Sequence, residues 1–345
     1  MRKLAVISIV CALLVSATGC SGSDDAAALK SAGAGQPLNQ ESQSAESGIS
    51  QGEDAGVEAS SEASLDDAST NGDSVTESNN TSDSASSLYE AFKQGSGKVK
   101  YRKTEGDRFF NASEYQEQVL TEGSSYTLDE IIGACQKVDE MLAEGTPEAT
   151  FTDIDCGQDG VPELLVDIEF NESSFVSMVI KEINGELVLC YDQEHGYRTA
   201  LIVNNDGTIE ISGSSAANIH GEEYAFVDAN GDYKFFYGCE ETLQLMDDFY
   251  AYPSAVESAT ISVEGLDGEH IGIHMYYFES NVETRTNYYQ YFMINDNYED
   301  VTTDADYDDS NAVKQAFVNA GITPYTQTEI DKMIADKKAE IGYPD

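Results

Sequence analysis

The sequence predicts an α+β domain, a curved antiparallel β meander of hairpins with helices at its N- and C-terminal ends. Three observations predict it. Turn dipeptides recur at Asp159-Gly160, Asn184-Gly185, Asp206-Gly207, Asn230-Gly231 and Asp267-Gly268. Asn-Gly or Asp-Gly between apolar runs marks a hairpin, because both central residues of a type I′ turn need positive φ. The runs between these turns alternate apolar and polar residues with the period of a strand. Capping boxes at Thr127/Glu130 and Thr326/Glu329 place helices on either side of the strand region.

The first element read from the N-terminus is not part of the fold. Met1-Arg2-Lys3 precede an apolar stretch from Leu4 to Val15 and then Ser16-Ala17-Thr18-Gly19-Cys20. That is the order of a secretory signal, and the apolar stretch is too short for a permanent membrane span. The last four residues resemble the lipobox of bacterial lipoproteins, with Ala17 standing where Leu is usual. The resemblance implies removal of residues 1–19 and diacylation of Cys20, which leaves the chain exported and lipid-anchored on the outer face of the cell membrane. Each buried methylene contributes about 0.8 kcal/mol, so two acyl chains hold where one binds only marginally.

Residues 20–87 are acidic and rich in Ser, Ala and Gly, contain no aromatic residue and carry one cation, Lys30. A segment of this kind cannot bury enough apolar surface to offset its conformational entropy, so it is expected to be a disordered tether. Its root-mean-square span is about 45 Å.

Aromatic residues return at Leu88-Tyr89, and residues 88–345 read as one folded α+β unit with no Pro/Gly/Ser linker inside it. Residues 88–148 form a helical subregion, with a short helix from Leu88 to Lys93 that ends at Gly95 and a clear one opening at Thr127. Residues 149–300 hold the meander. Strands are expected at Glu163–Ile168, Met178–Ile183, Glu186–Tyr191, Ala200–Val203, Thr208–Ile211, Tyr224–Val227 and Tyr233–Tyr237. Later ones are expected at Ala259–Val263, Ile271–Phe278 and Tyr288–Ile294. Residues 301–345 close the fold with helices over Asn311–Asn319 and after Thr326.

The formal net charge of the 345-residue chain is -46, from 64 acidic and 18 basic residues. That excludes nucleic acid as a partner and leaves cations and basic partners open. Beyond the signal and Cys20, four cysteines remain: Cys135, Cys156, Cys190 and Cys239. They permit two disulfides or four free thiols, and their spacing fits no zinc motif.

One segment suits a metal. Asp153, Asp155 and Asp159 recur along a loop, Gly160 follows, and Glu163 opens a strand. Alternating carboxylates on a tight loop can converge on calcium, which takes about six to eight oxygens. Gly157 stands where such loops usually offer a side-chain oxygen. The same residues also suit a polar turn in which Asp153 and Asp155 cap backbone N–H groups and Gly160 supplies the bend. Asp-Ile-Asp followed by Asp-Gly-Val-Pro-Glu-Leu, together with Tyr89-Glu90-Ala91-Phe92, resembles a group of uncharacterised cell-surface lipoproteins of Gram-positive gut anaerobes (Clostridia). These carry an Asp-rich loop followed by a Pro-Glu-Leu strand. The resemblance implies location and fold and no particular activity.

No catalytic set emerges. His220 follows the small-residue run Gly213–Asn218, which reads as a loop without a serine-hydrolase motif. His270 and His274 read as strand residues about 13 Å apart, too far to share a zinc ion. The tyrosine clusters around Tyr276 and Tyr289 read as half-buried strand packing, and the basic run from Lys93 to Arg108 as partners for the domain's own acids. The expected function is therefore a surface-displayed binding or interaction module for a protein or carbohydrate ligand, with calcium as the ion that its acidic loop suits. The alternative is an extracellular hydrolase acting on cell-wall or dietary polymer.

Overall fold

The computed structural model describes residues 80–104, 106, 108–111 and 119–344. The signal, Cys20 and the tether up to residue 79 lie outside the described residues. No described helix is long and apolar enough to cross a membrane.

Helix α1 (Asn80–Lys93) leads into the short strands β1 (Val99–Lys100) and β2 (Ser125–Tyr126), then helices α2 (Leu128–Val138) and α3 (Glu140–Ala143). The helix α1 starts inside the 20–87 segment, because a helix docked at Tyr89 and Phe92 adds turns outward without paying again for nucleation. Thr127 caps α2 with the reciprocal bonds of a capping box. Asp139 ends that helix and starts the next, its side chain accepting from Met141 N at 2.6 Å.

The meander follows: β3 (Glu148–Ile154), β4 (Glu163–Asn171), β5 (Ser174–Ile183), β6 (Glu186–Gly196), β7 (Thr199–Val203), β8 (Thr208–Ala216), β9 (Ile219–Val227) and β10 (Tyr233–Thr242). A separate hairpin, β11 (Phe249–Ser254) and β12 (Glu257–Ile261), precedes β13 (Ile271–Tyr277) and β14 (Asn287–Met293). Helices α4 (Ala312–Asn319) and α5 (Gln327–Ile341) end the fold, the latter under the Thr326 capping box.

Sequential strands pair antiparallel from β3 to β10, β10 continues to β13 and β14, and β1 alone adds in parallel, beside β6. The product is one open twelve-stranded sheet, with the β11–β12 hairpin as a second, two-stranded one. Asn184 and Gly185 both have positive φ, at 55° and 80°, as a type I′ turn requires. The dipeptide Asp267-Gly268 makes no hairpin. Strand β12 pairs with β11 and not with β13, so Gly268 opens a 3-10 turn, Gly268–His270, in place of a strand reversal. Ser214 and Ala216 belong to β8, where the ladder to β9 holds them despite their small side chains.

Three cores form. One face of β4–β6 buries Val166, Met178 and Leu189 against α1, α2 and the Phe109/Phe110 turn. The other face turns Leu165 and Val179 toward Ile209 and Ile211 of β8 and Ala225 and Val227 of β9, so the sheet curls onto itself. The third core lies between β13–β14, the β11–β12 hairpin and α4, around Tyr289, Tyr291 and Phe317.

Candidate functional site

The acidic loop crosses from β3 to β4 and is tied by its backbone to the β7–β8 turn. Asp155 N donates to Asn205 O at 2.7 Å, and Gly157 N to Asp206 O at 2.9 Å. Gly157 and Gln158 both have positive φ. A Cβ on Gly157 would lie 2.5 Å from Ala229 N, so the close approach to the β9–β10 turn needs glycine.

The four carboxylates singled out in the sequence share no partner. Asp155 accepts from Gly160 N at 3.1 and 3.2 Å, and Asp159 from Val161 N at 2.8 Å. Asp153 lies 3.8 Å from Lys93 Nζ. Glu163 points inward, accepting from Cys156 N at 2.6 Å and from Lys181 Nζ. Burial pushes the Glu163 carboxyl up, against the pull of Lys181 and of the Cys156 N–H. Among the described residues, no three His, Cys, Asp or Glu side chains are placed to hold one metal ion. The bonds that Asp155 and Asp159 make are those of a polar turn.

Cys156 and Cys190 lie beside the Glu163–Lys181 pair as free thiols, and Cys135 and Cys239 are free as well. Burial raises the Cys156 thiol and pushes that of Cys190 up to about 11. Much of the basic run pairs with the domain's own acids, as Lys98 with Glu130, Lys100 with Glu186 and Arg102 with Asp232. Arg108 differs. It is buried, donates to Gln193 at 2.9 Å and to Tyr233 Oη, and lies over the Tyr191 and Tyr233 rings at 5.2 and 4.4 Å.

Along the same inner face, strand alternation lines up Asp167, Ser177 and His195 on three adjacent strands. Ser177 Oγ donates to Asp167 and lies 2.9 Å from His195 Nε2. Burial lowers the pKa of His195, against the charge of Asp167. In a serine nucleophile the acid orients the histidine. Here the acid holds the serine itself, and Ser177 is only 1% exposed. Sequence reading missed this trio, although Asp167, two residues beyond Leu165 on the same face, was the signal that a carboxylate turns inward.

No protein family, curated protein or solved structure matches this chain.

The exposed chemistry lies elsewhere. The tyrosines of β13 and β14 are mostly buried, Tyr276, Tyr277, Tyr289 and Tyr291 among them. On β11, by contrast, Tyr250 and Tyr252 are 68% and 53% exposed, and Val256 at the hairpin tip is also open to solvent. The alternate residues Phe249 and Ala251, with Ala259 and Ile261 of β12, face the third core. The base is tied to β14: Tyr252 N donates to Tyr289 Oη at 2.8 Å, and Asn287 Nδ2 donates to Tyr252 O at 2.6 Å. The alternation Phe249-Tyr250-Ala251-Tyr252 was the sequence signal, masked by Pro253.

Proposed function

We propose that the chain is a membrane-anchored, surface-displayed binding module, held at the outer face of the membrane by lipid on Cys20 and followed by a spacer that ends before α1 at Asn80. The observation that carries this reading is the Tyr250/Tyr252 pair, two exposed rings on one face of a hairpin whose backbone is tied to β14. Ring faces with a polar tip fit protein or carbohydrate ligands, and presentation on a tied backbone lowers the entropy lost on binding. The lipobox order of Ser16 to Cys20 and the resemblance to clostridial cell-surface lipoproteins support the location.

The test uses the full mature chain on peptide and glycan arrays, beside Tyr250→Ala/Tyr252→Ala. Ligands that bind the parent and not the variant support the module, and the absence of any such ligand sinks it. Mass spectrometry of the N-terminus checks the anchor, where an unmodified Cys20 would remove it. The second reading is a hydrolase, for which the contact of buried Ser177 with His195 is the one candidate nucleophile and base among the described residues. Labelling of Ser177 by a fluorophosphonate would move the function there.

A further inference from the structure

We propose that the outer face of the β11–β12 hairpin binds an extended peptide segment carrying Lys or Arg at alternate positions. This rests on the binding-module reading and names its ligand. Tyr250 and Tyr252 are two residues apart on one strand, so their rings repeat at about 7 Å along it. An extended peptide laid along the strand presents alternate side chains at the same repeat. Neutral ligands would match the rings equally well, and charge decides between them.

The hairpin and its flanks carry the exposed acids Asp247, Asp248, Glu257 and Glu264. No Lys or Arg occurs from Phe235 to Thr284. The cations that follow in sequence are engaged: Arg285 is buried over the Tyr277 ring, and Lys314, on the helix beside β12, is held by Asp309 and the Tyr307 carbonyl. An aromatic pair flanked in sequence by carboxylates, in a stretch without Lys or Arg, fits ammonium and guanidinium groups, through ring faces and charge together.

A second copy of this chain does not meet that description. Its net charge of -46 sets acid against acid.

The test measures fluorescence anisotropy of a labelled nine-residue peptide of alternating Ser and Arg with the full mature chain at about 0.15 M salt. The comparison probes are a peptide of equal composition with contiguous arginines, a Ser/Gln peptide, and cellulose- and chitin-derived oligosaccharides. The alternating peptide is expected to bind, and Tyr250→Ala/Tyr252→Ala to weaken it at least about ten-fold. Tyr250→Phe/Tyr252→Phe, which keeps both rings, stays within about two-fold, as does Tyr197→Ala at an exposed tyrosine elsewhere. Equal affinity of the double Ala variant, or equal binding of the contiguous peptide, overturns the proposal as unspecific attraction to an acidic chain. Tyrosine-dependent binding of the oligosaccharides alone also overturns it while leaving the binding module standing. No binding of any probe removes the peptide ligand, and only empty arrays remove the module as well.

Discussion

Lys181 donates to Glu163 at the end of the β4–β5 ladder, and their side chains are 9% and 0% exposed. The register that pairs Leu164 with Ile180 sets the two directly opposite each other. Burial is the largest influence and opposes a charged lysine, but the hydrogen bond and charge of Glu163, joined by the charge of Asp159, together outweigh it and raise the Lys181 pKa. Lys181→Met strands a buried carboxylate and is expected to cost about 3–5 kcal/mol, whereas adding Glu163→Leu recovers only part of the loss, because the Cys156 N–H then lacks its acceptor. Urea unfolding measures both. A single variant as stable as its parent would mean that the pair carries no charge.

Asp192 gives a pH dependence with a definite sign. Its carboxyl is buried, one oxygen accepts from Phe110 N at 2.8 Å, and the other has no partner among the described residues. Burial raises its pKa to about 6, against the Phe110 N–H and Arg108. The unfolded chain has a value of about 3.9, so the folded state binds this proton more tightly. Its contribution is complete below about pH 4 and is lost as pH rises through about 6, by up to about 3 kcal/mol. Unfolding the parent and Asp192→Asn across that range should give curves that diverge, and parallel curves would refute the assignment.

The acidic loop separates turn from metal site by a simple comparison. Asp155→Ala removes the acceptor of Gly160 N and should cost about 1 kcal/mol, equally with added calcium and with chelator. A calcium-dependent rise in the parent's melting temperature, abolished by Asp155→Ala, would instead mean that the loop closes around an ion.

Gly157 and Gly160 share a positive φ, at 75° and 78°, yet only the first has a neighbour within 4 Å of a built Cβ. Gly160→Ala should therefore cost about 1 kcal/mol from backbone strain alone, and Gly157→Ala about 2–3 kcal/mol more for displacing the β9–β10 turn. Equal thermal shifts for the two variants would show that the turns do not press together.

What the sequence made legible follows from which interactions are local. Capping boxes at Thr127 and Thr326 and the Asn184-Gly185 turn act within a few residues, so they can be read directly. Strand β3 escaped notice because it is an edge strand whose Thr150, Thr152 and Asp153 face solvent, leaving no apolar run to see. Strand β11 was hidden by Pro253, which a bulge between Ala251 and Ser254 accommodates. Glu163 looked like a metal ligand because its partner lies across a hairpin. Counting the register back from the Asn171–Ser174 pair at the β4–β5 turn puts Glu182 opposite it, and only the bulge between Glu169 and Asn171, which carries no local signal, shifts the partner to Lys181.

Between β6 and β7 the ladder narrows to one pair, Gly196 with Thr199. By backbone bonds alone the sheet would come apart there into two cooperative blocks, each able to open without the other. The apolar contact of Leu165 and Val179 with Ile209 and Ile211 spans that joint. Amide exchange in β4 and in β8 should then report the same opening event, with side-chain packing supplying the unity that the hydrogen-bond ladder lacks.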